Sequence, residues 1–236
     1  MRVPKGIALT WLGHASVKIE YDGKVVAIDP WVTGNPKTPP ALRSFDRLDT
    51  MLLTHGHGDH IGDAVPLANK HGSTVVAMVE LAGWLKGKGV QNVVRMNKGG
   101  TVTANGLKVK MTHAQHSSGI DDHGTSVYGG EPVGFVVEFP NGFKLYHAGD
   151  TNVFGDMAII GELYKPDLAL LPIGDHYTMD PVEAAYAIRL LKAPAVLPIH
   201  YGTFPALTGT PAKLRELTRG LDVEIVELEP GGTLRS

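Results

Sequence analysis

The sequence predicts an α/β fold built as a layered sandwich, with two sheets face to face and helices on their outer sides. Three observations carry that expectation. Apolar strand-like runs come first and mixed strand and helix patterns second, and the same order returns after a long polar stretch at 114–132. The 29 glycines and 16 prolines punctuate the chain densely, as many short elements joined by shaped loops require. The 236 residues, 43% hydrophobic and 19% charged, are enough for a sizeable core. No Pro/Gly/Ser-rich linker divides them, so one domain over 1–236 is expected.

The elements follow in order. Ile7 to Leu12, Ser16 to Tyr21 and Lys24 to Asp29 read as strands, the last two joined by Asp22-Gly23, a strong hairpin signal. Thr33 to Pro40 is a loop by composition, and Thr50 to Thr54 a short buried strand. Asp59 to His71 has helical spacing, with Asp59 as N-cap and Pro66 awkward inside it. A strand at Thr74 to Met78 and a helix at Val79 to Lys86 come next. Strands at Val93 to Met96, Thr101 to Ala104 and Leu107 to Thr112 follow. Ala114 to Pro132 shows no periodicity, and a loop that long inside a compact domain is functional or mobile as a rule. Strands at Val133 to Phe139 and Phe143 to His147 flank Asn141-Gly142. The remaining helices are Asp156 to Tyr164, Pro181 to Leu191 and Pro211 to Arg219. The remaining strands are Leu168 to Pro172, Ala195 to Ile199 and a final Val223 to Val226.

Composition removes several function classes. There is no cysteine, hence no disulfide, thiolate ligand or cysteine nucleophile. Lys plus Arg is 22 against 24 Asp plus Glu, a net charge of −2, which does not suit a polyanion binder, so no nucleic-acid partner is expected. No apolar run approaches the roughly 18 residues of a membrane span. The N-terminus, from Met1 and Arg2, lacks the pattern of a leader. The expected setting is cytoplasmic. Exposed strand edges can pair two copies, so a homo-oligomer is compatible with the sequence.

The eleven histidines are clustered. The sharpest segment is Thr54-His55-Gly56-His57-Gly58-Asp59-His60, straight after an apolar strand. His55 and His57, two apart on an extended turn, can point the same way. Asp59 and His60, opening a helix, can face a second point a few ångströms off. Such a density of nitrogen and oxygen donors is what metal sites need, and the segment can serve two ions. Four donors are too few for two metals. The others are sought after later strands, where α/β sheets put their sites: His116, Asp150 and His200.

These motifs resemble the metallo-β-lactamase superfamily. Trp11-Leu12-Gly13-His14-Ala15, Asp29-Pro30, His116-Ser117-Ser118-Gly119 and Pro198-Ile199-His200-Tyr201-Gly202-Thr203 narrow the resemblance to the metal-dependent hydrolases related to ascorbate-6-phosphate lactonase. The resemblance runs from about residue 7 to about 205. It implies an αββα four-layer sandwich. It also implies His55, His57 and His116 on a first ion, Asp59, His60 and His200 on a second, and Asp150 bridging. Asp29 matches an aspartate that braces the ligand loop. His57 stands where the di-iron oxygen-reducing branch has a carboxylate, which argues against that branch.

Two divalent ions can share a water and lower its pKa towards neutrality, so the resulting hydroxide is the expected nucleophile. Hydrolysis of an ester, lactone, amide or phosphodiester in a small polar metabolite follows. The His/Asp donor set suits zinc first, then manganese or iron. Asp59 is placed to orient the hydroxide as well as to ligate. His176, with Asp175 beside it, is the first candidate acid, and His14 and His147 are weaker candidates that can instead support ligands from behind. Asn35, Ser117, Ser118 and Tyr201 are candidate substrate contacts from the rim loops. His123 and Asp121-Asp122 are read as solvated, and His71 and His113 as closing a helix and a strand. The alternatives are a nucleic-acid phosphodiesterase, which normally adds a basic clamp, and a non-catalytic metal-binding interaction protein.

Overall fold

The computed structural model describes residues 3–236; Met1 and Arg2, where the leader reading begins, lie outside the described residues. The first sheet is built from β1 (Ile7–Gly13), β2 (Ser16–Tyr21), β3 (Lys24–Ile28), β4 (Thr50–Leu52), β5 (Thr74–Met78) and β6 (Val93–Met96). The second takes β7 (Thr101–Ala104), β8 (Leu107–His113), β11 (Val133–Glu138), β12 (Lys144–His147), β13 (Leu168–Pro172), β14 (Ala195–Ile199) and β15 (Glu224–Ile225). A hairpin of β9 (Gly119–Asp122) and β10 (Thr125–Tyr128) stands apart. A last strand, β16 (Thr233–Leu234), returns to pair with β1.

Strand pleating explains the layers. In β4, Leu52 faces the other sheet while Met51 faces outward, and in β13 Leu168 and Leu170 alternate with Ala169 and Leu171 in the same way. One apolar core therefore fills the space between the sheets. A second lies between the first sheet and α1 (Gly58–Ile61), α2 (Ala64–His71) and α3 (Val79–Gly87). A third lies under α4 (Met157–Tyr164), α5 (Pro181–Leu191) and α6 (Pro211–Leu217). The order is αββα.

Each sheet has the same run of pairings. From β16 through β6, and from β7 through β15, three antiparallel contacts are followed by three parallel ones. Consequently β1, β3 and β4 end at one edge of the first sheet, and β8, β12 and β14 end together at one edge of the second. The loops after these strands carry the predicted donors. Among the described residues no helix is long and apolar enough to cross a membrane.

Five expectations are corrected. The helix expected over Asp59 to His71 is two helices, because Pro66 has no N–H for the Gly62 carbonyl and a continuous helix would lose that bond. Pro66 instead falls in the first turn of α2, where the missing donor costs nothing. The N-cap position of α1 is His57, not Asp59. The stretch 114–132 is not all loop: β9 and β10 pair in register around His123 and Gly124, both in left-handed backbone, the geometry of a type I′ turn. Its Asp122 is not merely solvated, since it accepts hydrogen bonds from Lys88 Nζ (2.6 Å) and Trp84 Nε1 (3.1 Å) of α3. Finally, the last strand is β16 rather than the segment at Val223 to Val226.

Candidate metal centre

His55, His57, Asp59, His60, His116, Asp150 and His200 come together at the shared strand edge. Their donor atoms fall into overlapping groups whose members all lie within 4.8 Å of one another: His55, His57 and His116; His55, His60 and Asp150; and His14, Asp59, His60 and His200. His55 Nε2 and His57 Nδ1 are 3.0 Å apart. Asp150 Oδ2 sits between three rings, 3.0 Å from His200 Nε2, 3.3 Å from His60 Nε2 and 3.7 Å from His116 Nε2. His60 Nε2, His200 Nε2 and Asp150 Oδ1 are buried with no hydrogen-bond partner. Buried polar atoms are satisfied as a rule, so these orphaned donors aimed at a common space fit a bound metal.

Backbone strain aims several of these groups. His14, Asp29 and His200 all adopt left-handed φ, at +55°, +49° and +56°, at or just beyond the ends of β1, β3 and β14. The His200 N–H donates to the His14 carbonyl at 3.0 Å, which ties the two sheets together at the site. Trp11 Nε1 donates to the same carbonyl at 2.8 Å, and its ring stacks on Tyr201. Gly149, at φ +66°, lets the chain turn into Asp150 where a Cβ would meet the Val133 carbonyl at 2.6 Å. Gly56 is small because Ile120 of the hairpin packs over it; a Cβ there would lie 2.6 Å from Ile120 Cγ1.

A row of groups behind the donors fixes their tautomers. Asp29 is fully buried and accepts from Thr54 N (2.8 Å), Thr54 Oγ1 (2.6 Å) and His60 Nδ1 (2.8 Å). Because the Thr54 hydroxyl donates to Asp29, it accepts from His55 Nδ1–H at 3.0 Å, which leaves His55 Nε2 as a lone pair facing the site. Sequence reasoning missed Thr54, although its place beside His55 was visible. Burial holds the His14 ring down to about 4, so it is neutral and carries one proton. That proton lies on Nε2, 2.9 Å from Asp59 Oδ2, and Nδ1 accepts from Thr203 Oγ1 at 3.0 Å. His147, also kept neutral by burial, donates from Nε2 to the Ala15 carbonyl and accepts at Nδ1 from Gly149 N. It therefore holds the Asp150 loop against the His14 turn.

The electrostatics divide the donors. Burial, joined by the charge of neighbouring rings, pushes His55 well below its ordinary value, and burial lowers His57 and His116 too. These rings are neutral and ready to ligate near neutral pH. His60 goes the other way: burial opposes its charge, but Asp150 and Asp29 on either side outweigh it and raise the ring well above the ordinary value. Asp150 is held well below the carboxylate range because His200 and His60 outweigh its burial. Asp59 is lowered likewise: the His14 hydrogen bond and the His60 charge outweigh burial. A buried cluster with three carboxylates calls for positive charge, which divalent ions supply.

Other predicted residues lie elsewhere. His176 and Asp175 are exposed and outside the cavity in front of the donors; left-handed φ at both turns the chain so that Tyr177 lines it instead. Asp175 Oδ1 accepts from His176 N rather than reaching the donors. Of the candidate substrate contacts, Ser117 lines the cavity, its Oγ 3.3 Å from His57 Nε2. Ser118 is buried and accepts from Gly56 N, Asn35 is buried and bonds the local backbone, and Tyr201 packs on Trp11. His71 and His113 close α2 and β8.

Comparison with known proteins agrees with this architecture. The UPF0173 metal-dependent hydrolase of Koribacter versatilis is 52% identical over 230 residues, 97% of this chain and 98% of the relative. The one from Rubrobacter xylanophilus is 52% identical over 235 residues, 98% of this chain and 97% of the relative. A family model described as the beta-lactamase superfamily domain matches residues 24–201. The chain belongs to the UPF0173 metal-dependent hydrolases of the beta-lactamase superfamily. Among solved structures, the metallo hydrolase Igni18 of the hyperthermophilic archaeon Ignicoccus hospitalis superposes on this UPF0173 hydrolase with a TM-score of 0.86 at 38% identity. That match covers 96% of this chain and 97% of the other. The isothiocyanate hydrolase from Delia radicum gut bacteria shares the fold at 21% identity, with a TM-score of 0.72 over 97% and 98% of the two chains.

Proposed function

We propose that this UPF0173 hydrolase uses two divalent metal ions to cleave an ester, lactone, amide or phosphodiester bond in a small molecule. His55, His57 and His116 would hold the first ion, Asp59, His60 and His200 the second, and Asp150 would serve both. The observation that carries this reading is Asp150 Oδ2 lying within 3.7 Å of ring nitrogens from both triads while Oδ1 is orphaned. Zinc suits the donors, as do manganese and iron. When bound, such ions supply an activated water and a Lewis acid for the electrophilic oxygen.

The chain's own residues do the rest. His14 fixes Asp59 through Oδ2, and Asp59 would orient a water in the site by accepting a hydrogen bond from it as well as ligate. Asp29 and Thr54 hold the tautomers of His60 and His55. Ser117, at the mouth, can hydrogen-bond the substrate. Because donors come from loops on both sheets, we read the whole chain as one catalytic unit. Its cysteine-free composition fits a cytoplasmic setting.

The test is hydrolysis of a sugar lactone, an aryl ester, a β-lactam and an aryl phosphodiester by metal-loaded protein, chelated protein and the His57→Ala variant. Turnover lost in both controls is expected. Turnover that survives chelation refutes the reading.

A further inference from the structure

The cavity in front of the donors has two unlike walls. One is formed by the metal-ligating side chains with Ser117. The other is Tyr177, Phe204, Pro205 and Ala206, and the space between them is about 770 Å³. Tyr177 and Phe204 are 57% and 36% exposed and line the cavity, so both rings offer surface to what enters it. Phe204 is not loose. Its ring lies 5.6 Å from that of His14 and 6.0 Å from that of Trp31, so a fully buried histidine and a tryptophan hold it over the site. No lysine or arginine lines this cavity among the described residues.

Resting on the two-metal reading, we infer that Phe204 and Tyr177 form the specificity wall for an acyl substrate with an apolar, preferably aromatic, substituent. That substituent carries no phosphate or other anionic group. The chemistry is direct. A flat apolar group gains by covering two exposed rings, and offset or edge contacts between rings favour it further. A remote phosphate would instead lie against Pro205, Ala206 and two aromatic faces, with no cation to replace its water, and would lose its hydration uncompensated. The polar rim expected from Asn35, Ser118 and Tyr201 is absent because those side chains turn into the fold. Of the four expected polar contacts, Ser117 alone lines the cavity.

The test measures binding rather than turnover. Three hydroxamates, which chelate metal through the same head group, are titrated into zinc-loaded protein: acetohydroxamate, phenylacetohydroxamate and phosphonoacetohydroxamate. Wild type, Phe204→Ala and Phe204→Leu are compared, with bound zinc counted in each. The phenyl compound is expected to bind about tenfold more tightly than acetohydroxamate in wild type. That advantage should disappear in Phe204→Ala and return in part in Phe204→Leu, while the phosphonate gains nothing. The inference is overturned if the phosphonate binds tightest, if the phenyl advantage survives Phe204→Ala, or if no hydroxamate binds protein that holds its zinc. If zinc itself fails to bind, the two-metal reading has failed, and the inference with it; the zinc count separates the two failures.

Discussion

Asp29→Asn is the sharpest perturbation of the metal centre that leaves its donors in place. Asparagine tolerates the left-handed φ of +49° at this position, so the backbone is not strained. Its carbonyl can still accept from Thr54 N. The amide nitrogen, however, then faces the His60 ring where Asp29 Oδ2 now accepts from Nδ1 at 2.8 Å. Two donors cannot face each other, so the neutral His60 that a bound ion needs can no longer keep its one proton on Nδ1 and retains it on Nε2, the atom that points at Asp150. The second ion then competes with that proton. Losing a partner behind a ligating histidine typically costs 10–100-fold in metal affinity, or about 1.4–2.7 kcal/mol. One hydrogen bond to a charged group is worth about 1.5–3 kcal/mol, so the two routes to the magnitude agree. Asp29→Ala is the harsher comparison: three buried donors lose their acceptor and alanine resists the left-handed φ, for a loss of fold stability of about 3–5 kcal/mol. The assay is competition for zinc against a chelating indicator, with a thermal melt to check the fold. The expected result for Asp29→Asn is near-wild-type melting of the apoprotein and one weakened site. Wild-type affinity at both sites would refute the tautomer argument.

Further predictions follow from neighbouring groups. Thr54→Val keeps the side-chain shape but deletes the hydroxyl between Asp29 and His55, and should weaken the first ion by about tenfold in the same competition assay. Chelation should lower the melting temperature, since ligand at 100 times its Kd stabilises by about 2.7 kcal/mol; calorimetry with and without chelator reads this. His176→Ala should leave metal content and the pH–rate profile unchanged, because that ring is exposed outside the cavity; a lost or shifted alkaline limb would return the acid role to it. Asp122 is held below its usual value by the hydrogen bonds from Lys88 and Trp84, so its contribution to hairpin docking is complete above the usual carboxylate range and is lost only as pH falls through its depressed value. Hydrogen exchange of residues 119–128 should therefore stay slow on acidification to about pH 4 in wild type and be faster in Asp122→Asn at neutral pH.

Much of this was legible in the residues. Asp22-Gly23 and Asn141-Gly142 each mark a hairpin by themselves, and the run from His55 to His60 states its chemistry within six residues. What stayed hidden depends on contacts far apart in the chain. The β9–β10 hairpin escaped because its turn places a histidine, His123, in left-handed backbone where asparagine or aspartate is the usual signal. The strand β16 has two residues and finds its partner β1 from the far end of the chain. The role of Thr54 depends on Asp29, 25 positions earlier, and His14 meets Asp59 across 45. Loop residues such as Asn35 and Ser118 had the right chemistry for substrate contact, but the backbone that needed their hydrogen bonds turned them inward. Tyr177 and Phe204 carry no motif, and only the folded cavity sets them opposite the donors.

If seven side chains from two sheets hold two ions and those ions are needed for hydrolysis, metal content and turnover must fall together. The most direct measurement is elemental analysis of metal per chain together with turnover on the ester and lactone substrates, for wild type, His57→Ala and His200→Ala. Two ions per wild-type chain, one in each variant, and turnover that falls with either loss are expected. A wild-type chain that binds a single ion, or a one-ion variant with undiminished turnover, would contradict the two-metal reading.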